Sequence, residues 1–148
     1  MKVQTDIIID APIEKVFTVF SDLGKAEERI AGIKKIVMIE GPAQMQVGTK
    51  WKETREMFGK EADEAMWVVE LNENKNYVVL AESHGTKYRS EYTFEKAEEG
   101  VKVTMVFEGV PQTFVAKILG AMFFFMKKSM EKMLYQDMFD LKKVCEEN

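Results

Sequence analysis

Between residues 33 and 108 apolar positions alternate with polar ones, a period of two that predicts β-strands. The expected strands cover 33–40, 47–57, 60–71, 77–83, 86–95 and 101–108. Turn-forming residues separate them: Gly41-Pro42, Phe58-Gly59, the run 72–76, His84-Gly85 and Glu99-Gly100. Connections this short join neighbouring strands antiparallel, so the six form a meander. Ahead of them lies an isoleucine-rich strand over 2–9, then Ala11-Pro12. With Ala11 as cap, Pro12 sits in the first helical turn, where its missing N–H is harmless, and Glu14 can reach back to the open amides. Ile13, Val16, Phe17 and Phe20 give this short helix an apolar face, ending near Ser21-Asp22. A second short helix is expected over about 24–30, stopping before Gly32.

After the last strand the period lengthens. From 111 to 148, Val115, Leu119, Met122, Met126, Met130, Met133, Leu141 and Val144 recur at steps of three, four or their multiples. That stripe predicts one long amphipathic helix of roughly 30 residues, near 45 Å long at 1.5 Å per residue. Gly120 is the expected place for a bend. Five of the chain's eleven methionines lie here, beside Phe123, Phe124 and Phe125. Methionine is unbranched and polarizable, so such a face suits either core packing against a sheet or the roof of an apolar cavity.

Strand, two short helices, six strands and a long helix assemble most simply as one α+β domain over 1–148. In it a seven-stranded curved antiparallel sheet wraps around the C-terminal helix and buries every apolar face. The order, with Ala11-Pro12-Ile13-Glu14-Lys15-Val16-Phe17, Ser21-Asp22, Gly48-Thr49-Lys50-Trp51 and Tyr92-Thr93-Phe94, resembles the START-like superfamily, also called SRPBCC, helix-grip or Bet v 1-like. The likeness is closest to its bacterial polyketide cyclase/dehydrase-like members and covers essentially the whole chain. It implies binding of lipids, hormones or polyketides, with catalysis in some members. No one motif is sharp.

Strand parity sorts the faces. On 47–57 the outward set is Gly48, Lys50, Lys52, Thr54 and Glu56; Val47, Thr49, Trp51, Glu53, Arg55 and Met57 point in. On 86–95 Tyr88, Ser90, Tyr92 and Phe94 point in. A two-residue turn at His84-Gly85 sets Ala81 opposite Tyr88, Val79 opposite Ser90 and Tyr77 opposite Tyr92. On the last strand Val101, Val103, Met105 and Phe107 point in. Strand 60–71 stays open: a two-residue turn at Phe58-Gly59 brings in Glu64 and Met66, a longer one Trp67 and Val69.

The inward set therefore predicts a ligand site of Trp51, Glu53, Arg55, Tyr77, Tyr88, Ser90, Tyr92, Met105 and Phe107 facing Met122 and Met126. Its expected volume is roughly 300–1,000 Å³. A buried carboxylate needs a partner, and Arg55 is the expected one for Glu53. The pair is either a structural salt bridge or a holder for a ligand's carboxylate or carbonyl.

Composition narrows the function. A 46% hydrophobic, 31% charged chain is an ordinary globular one, and a net charge of −4 offers no footprint for nucleic acid. Residues 1–10 form a strand where a secretory signal would sit, and the apolar run 118–126 falls far short of the roughly 20 residues of a membrane span. Cys145 is the sole cysteine, which excludes an intramolecular disulfide and favours a reducing, cytoplasmic location. It is expected to be a small apolar contact, and His84, the sole histidine, an exposed turn residue. Nothing has zinc-ligand spacing, and there is no nucleophile elbow, Rossmann glycine pattern or P-loop. No metal or cofactor is expected and no catalytic residue is assigned.

The leading expectation is a non-enzymatic binding or carrier protein, monomeric or homodimeric, for a hydrophobic small molecule of lipid, polyketide or aromatic type. One alternative is a cyclase or dehydratase using Glu53 or a tyrosine as acid–base and Arg55 to polarise a carbonyl. Arg55 would lower the pKa of Glu53, which counts against it as a base. The other is a protein- or membrane-interaction module using the Met/Phe-rich helix.

Overall fold

The computed structural model describes residues 1–57 and 59–147. Its elements are β1 (Lys2–Ile9), α1 (Ile13–Phe20), α2 (Leu23–Arg29), β2 (Ile33–Glu40), β3 (Lys50–Met57), β4 (Lys60–Asn72), β5 (Asn76–Ser83), β6 (Thr86–Ala97), β7 (Gly100–Pro111), α3 (Phe114–Phe123), a 3₁₀ turn (Phe124–Met126) and α4 (Lys127–Glu146). The strands form one antiparallel sheet in the order β1-β7-β6-β5-β4-β3-β2. The meander runs β2 to β7, and β1 returns to pair with β7. This is the helix-grip fold expected from the pattern.

Turn chemistry fixes the registers. His84 and Gly85 both adopt positive φ, 50° and 75°, the geometry of a tight two-residue hairpin. Ala81 accordingly pairs with Tyr88, Val79 with Ser90, and Tyr77 with Tyr92. Met57 pairs with Lys60, so the open choice on β4 resolves to Glu64 and Met66 facing in. Phe58, part of that connection, lies outside the described residues, as does Asn148.

The short helices plug one end of the sheet. Pro12 is the N-cap of α1 itself, in extended conformation, and no side chain caps this helix. The expected Ala11–Glu14 arrangement is therefore replaced by a proline one position earlier. Phe17 and Phe20 drive edge-on into Phe94, 5.1 and 5.5 Å between centroids. Asp22 caps α2 through the amide of Gly24 at 3.0 Å. β3 begins later than expected: Val47 precedes it and is 63% exposed, rather than pointing inward. Thr54, on the outer face, is buried because it donates to Asp63 on β4 at 2.7 Å.

The C-terminal helical segment differs most from expectation. It is two helices, α3 and α4, joined through the 3₁₀ turn, and the change falls after Gly120 rather than at it. α4 lies over the concave face and buries Met130, Leu134, Met138, Leu141 and Cys145. It is tied down by Lys142 to the Ile8 carbonyl (2.9 Å), Asp140 to the Ala31 amide (3.0 Å) and Glu146 to the Asp10 amide (2.8 Å). α3 overhangs the sheet and buries only Ala116. Thr113 caps it through the Ala116 amide, and Gly85 lets the β5–β6 turn press on Thr113, where a Cβ would stand 2.8 Å from its hydroxyl.

Candidate functional site

Sheet, α1–α2, α4 and Phe123 of α3 line a partly open cavity of about 210 Å³. Trp51, Glu53 and Arg55 reach it from β3, Glu64 and Met66 from β4, Tyr77 from β5, Tyr88, Ser90 and Tyr92 from β6, and Met105 and Phe107 from β7. Nine of the eleven expected lining residues are thus in place. Met122 and Met126 are not. They border a separate outer hollow of about 740 Å³ under α3, and the roof of the inner cavity is built from Met130, Met133, Leu134, Met138 and Phe123. The inner cavity is also smaller than expected, because these long side chains and Phe20, Leu23 and Ile30 from the plugging helices fill part of the sheet's concavity.

Stacked aromatic pairs stiffen the wall. Tyr77 and Tyr92 lie 5.0 Å apart at 27°, Tyr88 and Phe107 5.5 Å apart at 18°. The Tyr77 hydroxyl donates to the Phe20 carbonyl at 3.2 Å, and burial raises its pKa well above the ordinary value. Burial raises Tyr92 too, so both phenols stay protonated at neutral pH.

The polar groups form a triad. The Arg55 Nε donates to Glu53 at 2.7 Å, while its Nη1 and Nη2 donate to the two Asp137 oxygens at 3.2 and 2.7 Å. The indole of Trp51 donates to the other Glu53 oxygen at 3.4 Å. All three charged side chains are largely covered, 14% exposed for Arg55 and 9% for each carboxylate. Gly32 permits this: a Cβ there would meet Arg55 Nη1 at 3.1 Å. Burial works against the charged guanidinium, but the charges and hydrogen bonds of Asp137 and Glu53 outweigh it and hold Arg55 above its ordinary range. For Asp137 burial pushes upward while Arg55 pulls down. Burial is the larger influence and leaves the Asp137 carboxyl above its ordinary range, while both of its oxygens accept from Arg55.

Glu64 stands opposite Glu53 in the β3–β4 register and lines the cavity. Its side chain makes no hydrogen bond or ion pair among the described residues. Burial, then the charge of Glu53, raises its pKa, against smaller opposing pulls from His84 and Arg55. Its carboxyl can accept from a ligand hydroxyl and, protonated, donate to a carbonyl. The hydroxyl of Ser90 is likewise unengaged among the described residues.

Asp137 escaped the sequence reading although its signal was present. It falls seven residues after Met130 and four before Leu141, on the buried stripe of α4, where a carboxylate demands a partner. His84 is exposed, with its ring against the Ser83 hydroxyl at 2.7 Å. Cys145 is buried, and burial first of all raises its pKa to about 11, which keeps the thiol protonated at neutral pH. Among the described residues no group of three or more His, Cys, Asp or Glu side chains is placed to hold a metal. No helix among them is long and apolar enough to cross a membrane.

Solved structures share this architecture at low identity. One domain-sized half of the di-domain ARO/CYC StfQ from the steffimycin biosynthetic pathway matches with a TM-score of 0.80 at 13% identity, over 98% of this chain and 50% of that one. The chain thus spans about half the length of that protein. TTHA0849 from Thermus thermophilus matches with a TM-score of 0.74 at 15% identity, over 97% and 99% of the two chains. Ara h 8.0201 matches with 0.69 at 16%, over 100% and 99%. No curated protein sequence matches the chain. The model of one sequence family, described as polyketide cyclase / dehydrase and lipid transport, matches residues 1–146, and the chain belongs to that family.

Proposed function

We propose that the protein binds and carries a small, mainly apolar molecule bearing one hydrogen-bonding group, held in the cavity under α4. The observation that carries this is the state of the cavity's polar groups. The triad is satisfied internally, whereas Glu64 faces the same apolar space without a partner among the described residues. An apolar pocket with one or two unengaged polar groups suits orientation of a ligand by a single hydrogen bond. A cyclase or dehydratase is less well supported. Arg55 already commits three of its five N–H donors to Glu53 and Asp137, which weakens it as the carbonyl-polarising group that chemistry would use.

Naphthalene and 2-naphthol test this, being of similar size and differing by one hydroxyl. In calorimetric titration the wild type should bind both and prefer 2-naphthol about tenfold, the worth of roughly 1.4 kcal/mol for one hydrogen bond. Glu64→Met should abolish the preference and keep naphthalene binding. Ser90→Phe, which fills the cavity, should abolish both. A wild type that binds neither, with native mass spectrometry finding no co-purified molecule, would reduce the cavity to a packing defect.

A further inference from the structure

α3 and the 3₁₀ turn present a surface that the fold leaves uncovered. Phe124 and Phe125 are 75% and 87% exposed, and Phe114, Val115, Ile118, Leu119 and Met122 are exposed beside them. Isolated apolar side chains on a surface are normal, but seven large ones on a single overhanging tip mark an interaction site.

Charge identifies the occupant. The protein carries a net −4, yet from residue 109 to 130 there is no Asp or Glu, while Lys117, Lys127 and Lys128 are all present and exposed. A tip with aromatic and aliphatic side chains at its extremity and lysines directly behind matches the interface of a bilayer. There the apolar groups enter the acyl boundary and the ammonium groups stay at the level of the headgroups. The lysine-only charge selects anionic headgroups. A protein partner fits less well, since the centre of a protein–protein interface is depleted in lysine.

The position of the tip gives this contact a use. The outer hollow lies between α3 and the rim of the sheet, and Tyr88 and Phe123 border both it and the inner cavity. Gly109, opposite Tyr88 on β7, leaves room for the ring to lie against the strand, where a Cβ would come within 3.1 Å of it. An apolar molecule leaving a bilayer under α3 would therefore meet the outer hollow first and this pair of rings second. We propose that the α3–3₁₀ tip docks on anionic phospholipid surfaces, with the outer hollow as the way from the membrane to the cavity. The docking stands on the tip alone; the route inward rests on the carrier reading above.

The test is flotation of the full chain with vesicles of phosphatidylcholine alone or with phosphatidylserine added. The wild type should float with the anionic vesicles at least tenfold better than with neutral ones, and high salt should erase the difference by screening. The double variant Phe124→Ser, Phe125→Ser should lose at least tenfold on both. Lys127→Ala and Lys128→Ala should each lose about fivefold on anionic vesicles only. All four side chains are exposed, so these variants should keep the wild-type melting temperature, and 2-naphthol binding in solution should not change. Absence of flotation, flotation indifferent to phosphatidylserine, or flotation unaffected by the phenylalanine variants would overturn the proposal. So would concentration-dependent dimerisation that the phenylalanine variants abolish in a protein that does not float, since the tip would then be a contact between two copies of the chain.

Discussion

The two helices after β7 divide their residues against simple expectation. α3 is almost wholly apolar, and nearly all of it is exposed; α4 carries Asp137 and Asp140 on its inner face, and it is the one that is buried. Hydrophobicity alone would have seated α3 on the sheet and left α4 in solvent. The difference is that α4 finds specific partners. Arg55 meets Asp137, the Ala31 amide meets Asp140, and Lys142 meets the Ile8 carbonyl. α3 stands over the rim of the sheet across the outer hollow and buries only Ala116. Where a helix docks is decided by what faces it as well as by its own composition.

This contrast can be broken most directly at Asp137. Asp137→Ala leaves a buried guanidinium with only Glu53, and should destabilise the fold by about 3–5 kcal/mol in urea titration. A loss below about 1 kcal/mol would mean that α4 is held by its apolar stripe alone. Next is a matched pair of truncations. Met138→Ala, at a fully buried position, should lose about 2–5 kcal/mol, and Met122→Ala, 61% exposed, less than about 0.5 kcal/mol. Similar losses would place α3 on the sheet after all. Gly120→Ala is smaller and opposite in sign. Nothing lies within 4 Å of the added Cβ, so α3 should gain about 0.5–1 kcal/mol in thermal unfolding. The smallest effect concerns pH. Because the Glu64 carboxyl is raised above its ordinary 4.5 in the folded protein, the native state holds more protons than the unfolded one between the two values. Its contribution to stability is therefore full at pH below 4.5 and is lost as pH rises through the folded value. Glu64→Gln should remove that loss, so the variant gains on the wild type as pH rises through this window. A difference that shrinks instead would show that Glu64 has a partner in solution.

Much of the fold was legible because its signals are local. Alternation located the strands, and His84-Gly85 fixed a register that placed Tyr88, Ser90 and Tyr92 on the inner face. The Glu53–Arg55 contact followed from two residues of one strand sharing a face. What was not legible depends on where long elements end in space. The stripe through Val115, Leu119, Met122 and Met126 continues in phase with that of α4, so periodicity cannot tell where the sheet beneath it stops. Cavity volume is equally hidden, since it is set by how far methionine side chains from α4 reach toward β3–β7. Asp137 was missed for a different reason: attention to apolar periodicity passes over an acidic residue that shares the stripe.

The triad has a consequence for uniqueness. Met130, Met133 and Met138 are flexible side chains that accept many neighbours, so an apolar roof built from them would pack against the sheet almost equally well after a small slide or rotation. Arg55 does not tolerate that freedom. One helical residue is about 100° of rotation, enough to turn Asp137 away from both guanidinium nitrogens and strand a buried cation. A pliable ligand-facing surface and a single helix position coexist here because the first is assigned to thioethers and the second to one bidentate ion pair. Replacing Glu53, Arg55 and Asp137 together by apolar residues of similar size should leave stability nearly unchanged and multiply the backbone amide resonances of α4. The fold would then keep its strength and lose its registration.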